Sequence, residues 1–292
     1  ILCSASWAAI DANQPSQYKD QIPRLYNNWT EYLASSGTIP EDANSNEVRV
    51  WKGNNNLAYV LTPEDYGAIG DGTSNPLSET YASLSAAQDD FSFVTSLTQE
   101  IDWAAWQAAV NAAADTVAVY GIVKAKSGAK YDFGSDTLQI LDTCYVDCEG
   151  AAIDSDVTDA NSIIQVGNAA NQVFYFTWTG GAIGPAIATT AYGFDTTYCR
   201  VSIIKDAYIA NLAAGIYGSG AGAWHTWTFL NNKIQSCTAG VDITMNGGVL
   251  DIQDGYIFSC TTGIKITNGL GVKLSNVNVE SNVMPLHLID CG

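Results

Sequence analysis

The side chains of this chain that could do chemistry on a partner are a few acids and a set of aromatics. Asp242 and Glu280, with Asp251 and Asp195, are the acids that the repeat pattern turns toward solvent. Two carboxylates about 5–9.5 Å apart can cleave a glycosidic bond, one as acid and the other as base or nucleophile. Asp242 and Glu280 are the candidate catalytic residues. Tyr208, Tyr217, Tyr256, Trp224 and Trp227 offer aromatic faces on which sugar C–H groups can pack, and Lys233 and Lys265 stand among them as donors. Lyase chemistry on a uronate would want a basic group at the carboxylate; Lys233, Lys265 and Lys273 are thin support for it. His225 and His287 are the only histidines, and no Gly-x-Ser-x-Gly elbow occurs, which disfavours Ser/His/Asp catalysis. No His cluster or CxxC pair points to a metal, and no cofactor is expected.

These side chains are positioned by a repeat in the C-terminal half. Ala214-Gly215-Ile216, Ala239-Gly240-Val241, Thr262-Gly263-Ile264 and Met284-Pro285-Leu286 align at offsets of 25, 23 and 22 residues. The segments before them, beginning at Ile204, Phe229, Ile252 and Leu274, keep the same register. Coils of this length stacked at about 4.8 Å place like residues over one another. Ile204/Phe229/Ile252/Leu274 and Ile209/Ile234/Ile257/Val279 then form inward apolar ladders. Asp206/Asn231/Asp254/Asn276 fall at a bend, where their oxygens could accept from turn amides. Cys237 and Cys260 fall near a second bend and read as small buried hydrophobes. Two outward rows follow: Tyr208, Lys233, Tyr256, Asn278 and Tyr217, Asp242, Lys265, His287. They are expected to decorate one flat wall, overhung by Trp224, His225 and Trp227 from a loop over Gly218–Thr226. The plainer reading is a solvated sheet face with an Asp242–Lys265 cross-strand ion pair.

The 292 residues carry 12 basic and 30 acidic side chains, a net charge of −18. That field repels phosphate and anionic lipid, so nucleic acid and membrane insertion are disfavoured. The seven cysteines read as buried free thiols. Residues 14–36 pattern as an amphipathic helix, and two alternating segments around Gly53-Asn54-Asn55-Asn56 as a hairpin. Residues 1–61 are thus expected to be a small docking module packing on a partner chain or on the next domain, and 62–292 a separate domain. The first residues lack a basic region and do not read as a signal peptide. The last ones stop inside the coil pattern, so the repeat is expected to continue past residue 292.

Residues 65–72, Asp-Tyr-Gly-Ala-Ile-Gly-Asp-Gly, followed by the Ala-rich Ile101–Val110, resemble the opening motif and capping helix of the pectate-lyase-like right-handed β-helix superfamily. An insertion at 74–99 departs from that pattern. The stretch from Gly128 through Val146-Asp147-Cys148-Glu149-Gly150-Ala151 is similar to the first coils of phage tailspikes and tail appendage proteins in that superfamily. The fold class implied is all-β, a right-handed parallel β-helix (a single-stranded solenoid) capped by an N-terminal helix, with a small α+β N-terminal module. The helix stripe Trp103, Trp106, Val110 would cover the first coil, whose bare strand edges need a lid. The resemblance also implies a homotrimer on a virion tail that binds bacterial surface polysaccharide, with or without depolymerase activity. Residues 1–61 would then meet other virion tail proteins. The alternatives are a secreted polysaccharide-degrading enzyme (a glycoside hydrolase or lyase) of the same fold, and a purely structural virion appendage.

Overall fold

The computed structural model describes residues 49–53, 56–114, 121–158, 161–185, 190–220 and 225–291. From Ile122 onward the chain visits three parallel sheets in turn, seven times, and so builds a parallel β-helix of seven coils. The ladders expected from the repeat are present. Ile204, Phe229, Ile252 and Leu274 pair in register in the first sheet, and Ile209, Ile234, Ile257 and Val279 in the second. The first three members of each ladder are buried. Gly215 follows from the same geometry: a Cβ there would lie 2.6 Å from the Ile234 side chain, so the third-sheet backbone can close on the isoleucine ladder only without one.

Both bends rest on left-handed backbone. Asp206, Asn231, Asp254 and Asn276 have φ between 50° and 58°, and Asn211, Ser236, Ser259 and Ser281 between 55° and 63°. Asp and Asn tolerate this region better than other side chains. The first row does not accept from turn amides as expected. Its side chains bond from coil to coil, Asn231 to Asp206 at 2.8 Å and Asn276 to Asp254 at 2.6 Å. The turn is served instead by buried Asn232, which accepts from the Ala207 amide and donates to the Ile204 carbonyl. Asn282 does the same at the second bend, accepting from Cys260 N and donating to Ile257 O. The six described cysteines are all free, and burial pushes the Cys144 and Cys199 thiols up to about 12.

At the N-terminal end, helix α1 (Leu84–Asp90) lies in the insertion and helix α2 (Ile101–Ala114) closes the first coil. The expected stripe of α2 divides between two tasks. Trp106 packs on Tyr131, Phe133 and Trp178 at 5.3–6.1 Å inside the coils, whereas Trp103 meets Phe93 of the insertion at 5.6 Å. The insertion covers the far side of a helix that is apolar nearly all round, which no surface helix could be. Asp102 is 1% exposed and accepts from the amides of Ile69, Gly70 and Asp132, pinning the opening motif to helix and coil together. Burial raises its pKa above the ordinary carboxylate value, more than these hydrogen bonds lower it.

The hairpin expected around Gly53–Asn56 forms from Arg49–Gly53 and Asn56–Leu61. Its second strand pairs parallel with Ile122–Lys124 and extends the first sheet. The helix expected over 14–36 lies outside the described residues.

Candidate functional site

The second sheet is built from strands of two or three residues, each set outward–inward–outward. The inward position holds Tyr131, Ile153, Ile183, Ile209, Ile234, Ile257 and Val279. That ladder fixes the direction of everything beside it. The expected row Tyr208, Lys233, Tyr256, Asn278 is in register, one residue per coil. The Lys233 ammonium lies 5.4 Å from the centroids of both Tyr208 and Phe258. Tyr256 stacks on Phe258 at 4.8 Å and its hydroxyl donates to Glu280. The result is an aromatic wall with a cation held against two rings, an arrangement that holds Lys233 in place while leaving its N–H donors to a ligand.

Toward the helix cap this row continues through Ala182 and Ala152 to Lys130, with Asp71 bridging beyond it. Gly184 and Ala210 take the parallel outward row at the same level. Four small residues between larger ones leave a depression of about 360 Å³, with Lys130 and Asp154 at one end and Tyr208 and Asn211 at the other. Asn211 donates to Pro185 O at 3.2 Å and so holds the rim. This hollow was missed in the sequence, because Lys130, Ala152, Ala182 and Tyr208 are 22, 30 and 26 residues apart and a near-constant offset loses them. The usable signal was the triplet itself, an apolar residue between two outward ones.

The second expected row, Tyr217, Asp242, Lys265, His287, is also in register, but on the third sheet. The two rows therefore face different directions and do not make one wall. Asp195 extends the third-sheet row, and Tyr192 stacks on Tyr217 with centroids 4.3 Å apart. Lys265 bonds Asp242 at 3.0 Å, the cross-strand ion pair that was the plainer reading. Burial raises the Asp195 pKa, and Thr197 partly offsets this through hydrogen bonds.

The structure separates the candidate catalytic pair. Asp242 stands on the third sheet in the fifth coil and Glu280 on the second sheet in the seventh. Leaving different sheets two coils apart, they do not stand side by side on one strand surface as a glycosidase acid and base would. Asp251 is on the first sheet, bonded to Lys273 at 3.1 Å. Trp227 is no overhanging side chain: it is fully buried in strand His225–Leu230, with His225 stacked on it at 4.7 Å. The loop read over Gly218–Thr226 is shorter, since Gly218–Ser219 and His225–Thr226 belong to strands. Alternation explains the error, because Trp227 and Phe229 share the inward parity of that strand. Trp224 lies outside the described residues.

Among the described residues no helix is long and apolar enough to cross a membrane, and no group of three or more His, Cys, Asp or Glu could hold a metal ion.

No protein-family model matches the chain, and no curated protein matches it. Three phage or virus structures are similar to it. The tailspike protein gp49 from Pseudomonas phage LKA1 is 16% identical, with a TM-score of 0.40 over 74% of this chain and 59% of that one. Geobacillus virus E2 ORF18 is 11% identical, with a TM-score of 0.41 over 85% of this chain and 59% of that one. The tailspike gp61 of Pseudomonas phage phi297 is 12% identical, with a TM-score of 0.22 over 74% and 75%. The chain thus spans about three fifths of the length of the first two.

Proposed function

We propose that the chain is a tailspike-like protein of a phage virion tail that attaches to bacterial surface polysaccharide through the outward face of its second sheet. In this reading it works as a homotrimer, and residues 1–61 join it to other tail proteins. The observation that carries the reading is the second-sheet wall: Tyr208, Tyr256 and Phe258 around Lys233, running into the hollow floored by Ala152 and Ala182. Sugar C–H faces pack on aromatic rings, and hydroxyls take hydrogen bonds from Lys233, Lys130 and Asn211. The hollow is at the small end of ligand sites, fit for a sugar unit of a longer chain lying along the coils. Lys130 and Lys233 share this face with Asp132, Asp154 and Glu280, so it suits a neutral glycan more than an acidic one. The resemblance of residues 65–72 to the opening motif of the pectate-lyase-like β-helix superfamily supports the fold on which this reading rests.

Binding of capsule and lipopolysaccharide preparations by the full chain tests it. Tyr208→Ala and Lys233→Ala should each weaken binding about tenfold or more, the loss of ~1.4 kcal/mol. Lys265→Ala on the third sheet should leave it unchanged. Absence of binding to any such glycan, or equal binding by all three variants, would remove the reading. Depolymerase activity is a finer claim, tested by the appearance of new reducing ends or unsaturated uronates. Since Asp242 and Glu280 stand on separate sheets, Asp242→Asn and Glu280→Gln should not abolish cleavage together as a catalytic pair would.

A further inference from the structure

The first sheet differs from the other two in what it presents to solvent. Its central outward row is Ile122, Tyr145, Thr177, Ile203, Thr228, Asp251, Lys273, and beside it runs Tyr175, Val201, Thr226, Val249. Tyr175, Val249 and Tyr145 are 52%, 47% and 38% exposed on the outward side of these strands. The acids of these strands are neutralised on the same face, Asp147 by Lys124 at 3.0 Å and Asp251 by Lys273 at 3.1 Å. The second sheet turns out Asp132, Asp154 and Glu280, and the third turns out Asp195 beside an Asp242 that Lys265 pairs at 3.0 Å.

We propose that the outward face of the first sheet is where a second copy of this chain docks, and that Tyr145, Tyr175, Val201, Ile203 and Val249 form the centre of that contact. This rests on the multimeric reading above and names its surface. Two arguments select a second copy over another occupant. The first is charge. Two chains of net −18 repel, and on this face Asp147 and Asp251 are each paired with a lysine while Lys205 adds a further positive charge, so it lets them approach at least cost. The second is area. Seven coils at about 4.8 Å by strands of about five residues give a flat projection of roughly 600 Å². Side-chain relief brings that toward the ~800 Å² per partner of a stable interface. An apolar patch of this extent on a soluble protein marks an interaction surface.

The test is mass by light scattering on the full chain, with β-sheet circular dichroism as the control for folding. Wild type should run as a multimer. Ile203→Glu should shift it to the single-chain mass at concentrations at least tenfold above the wild-type dissociation point. Thr226→Lys, at a position already exposed, should act in the same direction and decides the matter if Ile203→Glu fails to fold. Thr244→Lys on the third sheet should leave the multimer intact. A wild type of single-chain mass at every concentration would overturn the proposal, as would first-sheet variants that stay multimeric. Glycan binding separates the two claims. A monomeric variant that still binds glycan at single-site strength leaves the attachment reading standing. A multimer that loses its partners through Ile203→Glu but binds no glycan leaves the interface and removes that reading.

Discussion

The cap and the later coils are held together by opposite means. From Cys199 to Ile289 stability is spread over ladders, and each isoleucine does what the one below it does. Around residues 62–140 it depends on unrepeated polar contacts. Asp102 holds three amides, Glu100 accepts from Ser74 and Asn75, and buried Tyr131 donates to Glu64 at 2.6 Å. A stack of coils has near-neighbour interactions only, so a local defect is absorbed locally. A lid that closes one end has no neighbour to share its load.

That contrast predicts a graded series in chemical denaturation. Asp102→Ala should be the most damaging, about 3–4 kcal/mol, because it orphans the amides of Ile69, Gly70 and Asp132 in a buried place. A loss no greater than that of a ladder truncation would erase the distinction between the regions. Asn232→Ala, at a coil residue that works as the cap residues do, should cost about 2 kcal/mol by stripping Ala207 N and Ile204 O of their partner. Ile234→Val, one member of a ladder of like residues, should cost about 1 kcal/mol. Lys265→Ala should cost about 0.5 kcal/mol or less, since its pair with Asp242 is solvent-screened.

The regions should also differ in pH response. Burial raises the Asp102 pKa, so the folded cap binds that proton more tightly than the unfolded chain does. Its contribution is full below the ordinary carboxylate value and is lost as pH rises through the raised one. Unfolding of wild type and Asp102→Asn across that interval should show the decline in wild type and a flatter profile in the variant.

Much of the coil region was legible from sequence. The ladders through Ile204 and Ile209, the bends at Asp206 and Asn211 and the paired register of Asp242 with Lys265 all follow from two aligned segments. The candidate site was half legible. Tyr208, Lys233 and Tyr256 read as one row because they fall inside the regular repeat. Phe258 and Glu280 were not joined to them, because cross-coil contacts between the two outward positions of a three-residue strand are diagonal and leave no period. The hollow at Ala152 and Ala182 was missed because coils before residue 199 vary in length through their loops. The Trp227 error had another source: an aromatic beside a glycine-rich stretch was read as loop, where strand parity turned it inward.

By itself the sequence determined that the chain coils and which residues stack. Those follow from near-constant spacing, and spacing is a one-dimensional property. Only the tertiary structure decided which outward rows share a face. Each coil turns two corners between its three sheets, and residues a few positions apart leave in different directions. That turning put Asp242 and Glu280 on separate sheets, gathered Lys233 with two rings above a hollow, and brought Tyr145, Tyr175, Ile203 and Val249 together on the outward side of the first sheet.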